Sequence, residues 1–203
     1  MKVLNLYAGI GGNRKLWGTV EVTAIEINPQ IAKIYSDFFP NDEMIIGDAH
    51  QYLLNHYEEY DFIWGSPPCP THSKMHKLNS RANVVYPDMG LYQEILLLQH
   101  YFKGKWCIEN VIGYYEPLIK PQKVQRHYFW ANFIITYRNF PVEKTCSVND
   151  RERLGKLFGF GTLDKYEGVD KRLLLRNCVL PELGLHILNC AMGKIENIEN
   201  FII

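Results

Sequence analysis

The chain has 203 residues, of which 47% are hydrophobic and 22% are charged. These figures predict one globular domain with a sizeable core, and they exclude a disordered or fibrous protein. The charges balance, with 22 Lys plus Arg against 22 Asp plus Glu, so any basic surface for nucleic acid must be local.

The sequence gives no sign of export, membrane insertion or metal binding. The apolar run Val3 to Tyr7 is too short for a signal peptide, and no apolar run is long enough to span a bilayer. The five cysteines are odd in number and contain no C-x-x-C pair, which indicates reduced thiols rather than disulfides or a zinc site. We therefore expect a cytoplasmic protein that is not secreted, with no membrane contact and no metal.

A strand, a glycine-rich turn and a helix are predicted at the start of the chain. Val3 to Tyr7 predicts a buried strand, the turn follows at Ala8 to Gly12, and a helix is predicted from Asn13. Glycine lets the backbone take positive φ and approach a ligand closely, as in nucleotide-binding α/β folds. A plain tight turn is the alternative.

The next two predicted strands each end near a carboxylate. Glu26 follows the β-branched run Val20 to Ile25, and Asp48 follows Met44 to Ile46. An acid at the second strand end binds ribose hydroxyls in Rossmann-like folds, and Asp48 can accept a hydrogen bond from the exocyclic amine of adenine. The alternatives are a solvated strand end for Glu26 and a helix cap for Asp48. Together the three strand ends predict a cofactor with a ribose and an adenine.

A proline-rich loop follows the fourth predicted strand. Tyr60 to Trp64 reads as a buried strand, and Gly65 to Pro70 holds three prolines within four residues around Cys69. Prolines leave the backbone few conformations, and a thiol on a stiff loop at a strand end is well placed for chemistry. The alternative is a proline-rich turn that contains a small, buried cysteine.

The next segment, Thr71 to Lys77, is polar and partly basic, and Asn79 to Pro87 shows no clear periodicity, as in a loop. Arg81 and the nearby lysines are candidates for phosphate contacts, and a solvated loop is the alternative. Gly90 to Phe102 then has apolar residues at helical spacing.

A second carboxylate ends the fifth predicted strand, Trp106 to Ile108. If the fourth and fifth strands are neighbours in a parallel sheet, Cys69 and Glu109 face one cleft; a surface glutamate is the alternative. Tyr128 to Ile135 predicts a sixth strand with an antiparallel-type edge, and Pro181 to Met192 predicts a terminal helix.

These stretches, taken in order, resemble the motifs of the C5-cytosine DNA methyltransferase family over nearly the whole chain. The matching stretches are Leu6 to Gly12 (F-A-G-x-G-G), Glu26 and Asp48 (the ribose and adenine acids), Gly65 to Cys69 (G-x-P-P-C), Ser73 (the serine of F-S), Glu109 to Val111 (E-N-V), Pro121, Gln122 and Arg126 (Q-x-R-x-R), Leu154 to Phe160 (L-x-G-F) and Arg176 to Pro181 (G-N-A-V-P). P-P-C followed by E-N-V behind a glycine loop is a highly specific combination.

The resemblance implies an α/β, Rossmann-like fold with a mostly parallel, doubly wound sheet and one antiparallel strand, forming a single catalytic domain over residues 1–203. It also implies DNA methylation of the restriction-modification type, with S-adenosyl-L-methionine as cofactor and C5 of a flipped-out cytosine as target. Cys69 would bond to C6, Glu109 would protonate N3 and Arg126 would hold O2.

The resemblance also assigns binding residues. Those implied for the cofactor are Tyr7, Ala8, Gly9, Gly11, Gly12, Glu26, Ile27, Asp48, Ala49, Pro67, Asn177 and Cys178. Those implied for the substrate are Ser66, Pro68, Ser73, Arg81, Asn110 and Gln122.

The chain departs from the family pattern in three places. Val124 replaces the first arginine of Q-x-R-x-R, Cys178 alters G-N-A-V, and only about residues 139–150 remain where the family has a large target recognition region. Amino-methylating DNA enzymes carry an aromatic residue after Pro-Pro, and Cys69 in that place favours C5 chemistry. DNA is the expected partner, with a separate specificity subunit as a second one. The alternatives are a non-catalytic subunit that binds S-adenosylmethionine or DNA, and methylation of cytosine in RNA or in a free nucleotide.

Overall fold

The computed structural model describes residues 1–74, 85–141 and 150–194. In these residues seven strands form one sheet. The strands are β1 Lys2–Leu6, β2 Glu21–Glu26, β3 Glu43–Ile46, β4 Phe62–Gly65, β5 Lys105–Val111, β6 Gln122–Val124 and β7 His127–Ala131.

Helices precede or follow most of these strands. The described α-helices are α1 Pro29–Phe38, α2 Ala49–His56, α3 Gly90–Tyr101, α4 Asp150–Leu157, α5 Lys171–Arg176 and α6 Pro181–Ala191, and a short 3₁₀ helix covers Tyr57–Glu59. The N-cap of α1 is Asn28, whose Oδ1 accepts hydrogen bonds from the backbone N–H groups of Gln30 and Ile31, with Pro29 at the first helical position.

The strand order is β3-β2-β1-β4-β5-β7-β6. Neighbours from β3 to β5 pair in parallel, β7 runs antiparallel to both β5 and β6, and β7 is therefore the one antiparallel strand. The predicted α/β, Rossmann-like, mostly parallel sheet is confirmed. Its central strands are buried along their length because helices cover both faces, as their near-continuous apolar sequences require.

The order of the strands reverses at β1. From β1 the chain adds β2 and β3 on one side of the sheet, and it then returns to place β4 on the other side. Ligands of open α/β sheets bind outside the carboxyl ends of the strands at such a switch point. The loops after β1, β2, β3, β4 and β5 meet at this edge.

Two local predictions were wrong. Residues 13–16 form successive turns rather than a helix, with Lys15 N–H bonded to the Gly12 carbonyl and Trp17 N–H to that of Arg14. The predicted sixth strand ends at Ala131 and pairs with the unexpected strand β6, because a two-residue turn folds Gln122–Val124 back onto it.

The single-domain organisation and the remnant recognition region at 139–150 stay predictions, and residues 142–149 lie outside the described residues. Within the described ranges, no helix is long and apolar enough to cross a membrane. In the same ranges no group of three or more His, Cys, Asp or Glu side chains is arranged to hold a metal ion.

Candidate active site

The glycine turn after β1 takes a conformation that needs glycine at two positions. Gly9 and Gly11 have φ of 54° and 83°, and a side chain at Gly11 would collide with the ring of Phe39. The backbone N–H of Gly9 donates to Oε2 of Glu26 at 3.0 Å. The turn is thereby tied to the end of β2.

Glu26 is buried, unlike a solvated strand end. Its Oε1 accepts from the backbone N–H of Asn28 at 2.9 Å, while Oε2 accepts from Gly9. These charge-assisted bonds hold the carboxylate at the rim of a cavity and leave lone pairs on both oxygens for further donors.

Asp48 has the capping role that was the alternative for it, and it also reaches the same cavity. Its Oδ1 accepts from the backbone N–H of Gln51 at 3.0 Å, so that Asp48 caps α2. One capped oxygen leaves the other for a ligand.

The cavity lies outside the carboxyl ends of β1 to β4 and has a volume of about 490 Å³. Its wall includes seven residues assigned above to cofactor or substrate: Tyr7, Glu26, Ile27, Asp48, Ala49, Pro67 and Pro68. The side chain of Ile27 is 68% exposed beside the two carboxylates. An apolar surface next to acceptors for hydroxyl and amine donors fits an adenosine group, and the volume lies in the usual range for small-ligand sites.

Sequence reasoning missed half of this wall. The additional lining residues are Gly47, His50, Asp88, Met89, Gly90, Leu91 and Gln93. Five of the seven lie at or just before the start of α3, which the fold brings across from a distant part of the chain. The polar-to-apolar change at Asp88 to Leu91, just before a helix, was the available signal.

A buried carboxylate supports this wall from behind. Glu94 is 1% exposed, its Oε1 accepts from the Tyr7 hydroxyl, and the same atom lies 3.0 Å from Nδ1 of His50. Burial raises the pKa of Glu94, and these two partners oppose the rise. Tyr7 and His50 are both cavity residues, so Glu94 positions them without lining the cavity itself.

Hydrogen bonds hold the proline loop against the neighbouring strands. Asn110, which is 2% exposed, donates from Nδ2 to the Pro67 carbonyl at 3.0 Å. Ser66 donates its N–H to the Leu6 carbonyl, and its hydroxyl accepts from the Trp64 indole at 2.8 Å. The loop that carries Cys69 is therefore tied to both β1 and β5.

The loop continues from Cys69 into a tight turn. The Cys69 carbonyl accepts from the backbone N–H groups of His72 and Ser73 at 3.0 and 3.1 Å. Ser73 also forms an isolated antiparallel bridge with Gly113. The ring of His72 is buried, its Nδ1 lies 2.6 Å from the Tyr115 hydroxyl, and burial lowers its pKa.

Cys69, Glu109 and Arg126 lie in one neighbourhood. Gly65 at the end of β4 is opposite Ile108 in β5, so Glu109, the next residue of β5, lies next to the start of the proline loop. Burial raises the pKa of the Cys69 thiol, the charge of Glu109 raises it further, and the charge of Arg126 opposes the rise. Sequence reasoning expected this grouping if β4 and β5 were neighbours, and they are.

His127 is a site residue that sequence reasoning missed. Its Nε2 lies 3.6 Å from Oε1 of Glu109, and both side chains are almost fully buried. Burial lowers the pKa of His127 to about 3, and the charge of Arg126 acts in the same direction. The imidazole is therefore neutral at physiological pH and places an uncharged ring against the carboxyl group of Glu109.

The remaining predicted residues take supporting positions or lie outside the described residues. Gly12 packs against Cys178, where an added Cβ would come within 2.6 Å of the cysteine Cβ. Asn177 is the exposed C-cap of α5, and Gln122 bonds through its side-chain amide to the backbone of Phe133 and Ile135. Arg81 lies outside the described residues.

Comparison with known families places the chain. The model of the C-5 cytosine-specific DNA methylase family matches residues 1–114, which is more than half of the chain. The chain belongs to this family. The matched range ends just beyond Glu109 and Asn110, so Gln122, Arg126 and Asn177 lie outside it. No match was found among the curated proteins.

Three solved structures give the scale of similarity between this chain and known folds. A hypothetical protein of Thermus thermophilus is 14% identical with a TM-score of 0.44, and the match covers 64% of this chain and 73% of that protein. The DNMT2 protein of Spodoptera frugiperda is 24% identical with a TM-score of 0.39, and the match covers 56% of this chain and 36% of that protein. The S. pombe Dnmt2 methyltransferase is 22% identical with a TM-score of 0.38, and the match covers 55% of this chain and 34% of that protein. The match thus covers about a third of each DNMT2 protein.

Proposed function

We propose that the chain transfers a methyl group from S-adenosyl-L-methionine to C5 of cytosine in DNA. The observation that carries this proposal is the shared loop: Pro67 and Pro68 line the cavity at the strand ends, and the next residue, Cys69, follows β4, which pairs with the strand that holds Glu109. A cofactor in that cavity and a cytosine at the thiol would be neighbours across one stiff loop.

Each protein group has a defined role in this chemistry. Cytosine C5 is a poor nucleophile, and addition of the Cys69 thiolate to C6 moves electron density to C5. Glu109 donates a proton to N3 as charge develops on the ring, and Arg126 stabilises O2. When bound, S-adenosylmethionine supplies an electrophilic methyl group. Loss of the C5 proton to a base then restores the C5–C6 double bond and expels the Cys69 thiolate, and N3 returns its proton to Glu109.

The environment of Cys69 sets when its thiolate forms. With its pKa raised by burial and by Glu109, the thiol is protonated in the free protein at neutral pH. Because only the thiolate is nucleophilic, we expect the rate at which iodoacetamide alkylates Cys69 to increase with pH from 7 to 9. A profile that is flat over this range would contradict the thiol as the group that must lose a proton.

Alkylation tests the electrostatics without any substrate. Replacing Glu109 by Gln removes a charge that raises the Cys69 pKa, so iodoacetamide should modify Cys69 faster in Glu109→Gln than in the wild type at pH 7.5. Replacing Arg126 by Gln should slow the modification. Peptide mass spectrometry separates Cys69 from the other cysteines, and equal rates in all three proteins would contradict the grouping.

Methyl transfer is tested with labelled cofactor and three substrates: unmodified DNA, RNA and dCMP. We expect label in DNA, none with Cys69→Ser, and wild-type transfer with the matched control Cys190→Ser. Calorimetry should show that Cys69→Ser still binds the cofactor. Label in RNA alone or in dCMP alone would show that this molecule, and not DNA, is the substrate. Cofactor binding without transfer to any of the three would favour a non-catalytic subunit.

A further inference from the structure

A second cavity of about 490 Å³ opens beside the β6–β7 turn. We call it the hairpin cleft. Its described lining is residues 123–126 on one wall and residues 135–140 on the other. The cavity described above at the carboxyl ends of β1 to β4 is called the cofactor cavity. The hairpin cleft has the same volume and shares no described lining residue with it.

The lining of the hairpin cleft is basic. Lys123, Arg126 and Arg138 contribute to it, and none of its ten described lining residues is acidic. The chain as a whole carries no net charge, so this is a local concentration of positive charge. A groove of this kind attracts the phosphates of a nucleic acid strand.

An exposed aromatic ring lies in the same lining. Tyr137 is 91% exposed, so its ring face is open to a ligand. Phe140 is buried behind it, and the guanidinium of Arg138 lies 5.7 Å from the Phe140 ring centre. Cations that follow the backbone and a ring on which a base can stack are the two elements of single-strand recognition.

Hydrogen bonds tie the two walls together. The side-chain amide of Gln122 donates to the Phe133 carbonyl and accepts from the Ile135 N–H, both at 2.8 Å. Gln125, in the turn, donates from Nε2 to the Pro141 carbonyl at 3.3 Å. The cleft is therefore built before any ligand arrives, which reduces the entropic cost of binding.

Arg126 connects the hairpin cleft to the thiol. It occupies the two-residue turn between Val124 and His127, lines the cleft and acts on the pKa of Cys69. A strand lying in the cleft would contact Arg126, the residue proposed above to hold O2 of the cytosine.

We propose that the hairpin cleft binds single-stranded DNA next to the target cytosine, with phosphates at Lys123 and Arg138 and one unstacked base on Tyr137. This rests on the proposed DNA methyl transfer and specifies the form of its substrate. The basic side chains of the cleft would follow the phosphates of one strand, and the exposed Tyr137 ring would stack on one of its bases.

Binding of a strand without cytosine tests the cleft independently of catalysis. Fluorescence anisotropy with labelled oligo(dT) of about 12 nucleotides, in low salt and with the full chain, gives the affinity. We expect Tyr137→Ala to bind about 5- to 100-fold more weakly, and Tyr137→Phe to bind like the wild type. The double variant Lys123→Gln with Arg138→Gln should reduce the slope of log K against log salt by about 1.4, since each phosphate contact contributes about 0.7.

Matched controls lie at the opposite end of the sheet. Tyr101 is another exposed tyrosine, and Lys103 and Lys105 are exposed residues where α3 gives way to β5. Tyr101→Ala and the double variant Lys103→Gln with Lys105→Gln should bind oligo(dT) like the wild type.

Three results would contradict the binding of single-stranded DNA in the hairpin cleft. They are unchanged binding in the Tyr137 and Lys123/Arg138 variants, an equal loss in the controls, and tighter binding of a duplex or of oligo(U) that depends on the same residues. If Tyr137→Ala methylates DNA and binds oligo(dT) as tightly as the wild type, DNA binding in the hairpin cleft is contradicted while the proposed methyl transfer stands. If oligo(dT) binding depends on Tyr137 but the protein methylates none of the substrates, the proposed methyl transfer is contradicted while DNA binding in the hairpin cleft stands.

Discussion

The buried imidazole of His127 should make the protein lose stability in mild acid. In the folded protein the pKa of His127 is lowered to about 3, because burial and the charge of Arg126 both disfavour the imidazolium. In the unfolded chain a histidine titrates near pH 6.5. Between these two values the unfolded chain binds more protons than the folded protein, so stability decreases as pH falls from about 6.5 towards 3.

The size of the effect follows from the two pKa values. At pH 5 an unfolded histidine is almost fully protonated while His127 in the folded protein is not, and the linkage amounts to about 2 kcal/mol relative to pH 7.5. That is a large part of the total stability of a domain of this size. Other groups titrate in the same range, so the comparison must be with a variant that lacks this ring.

Urea unfolding of the wild type and His127→Gln at pH 7.5 and pH 5.0, followed by circular dichroism, isolates the contribution. Glutamine keeps an N–H in this region and does not titrate. We expect the wild type to lose about 2 kcal/mol more than His127→Gln between the two pH values. His100→Gln, on the exposed side of α3, controls for the loss of a histidine as such. Parallel losses in the wild type and His127→Gln would refute the reasoning.

Three further predictions concern the loops around the cofactor cavity. Asn110→Ser should reduce stability by about 1–3 kcal/mol and slow methyl transfer, because the donor to the Pro67 carbonyl is shortened out of reach; unchanged denaturation would count against that hydrogen bond. Gly12→Ala should cost about 1–3 kcal/mol, since its Cβ would lie 2.6 Å from that of Cys178, and a thermal melt equal to the wild type would contradict this packing. Glu26→Ala should weaken cofactor binding at least tenfold by calorimetry, and equal affinity would exclude the ribose role.

Several site features were predictable because the residues that make them are adjacent in the sequence. The turn at Gly9 to Gly12, the stiff loop around Cys69 and the pair Glu109-Asn110 are local arrangements of backbone and side chain. The alternation of apolar runs with helical segments indicated a parallel sheet with its loops at one edge. Asp48 shows the limit of such reasoning, because its capping role and its place in the cavity wall are both real.

Tertiary structure decided the features that depend on residues far apart in the chain. The bond from Asn110 to Pro67 spans 43 positions, and the bond from Tyr7 to Glu94 spans 87. The pKa of His127 depends on burial, which no local pattern encodes.

The sequence by itself determined the types of group available for chemistry and the order in which the strands deliver them, because each motif is a short segment whose conformation is set locally. Only the tertiary structure decided which of these groups share a cavity, which are buried enough to shift their pKa, and where a basic cleft forms beside Arg126. The reason is physical: the sheet brings together side chains from distant strand ends, and burial, charge and hydrogen bonding then act over a few ångströms, regardless of separation along the chain.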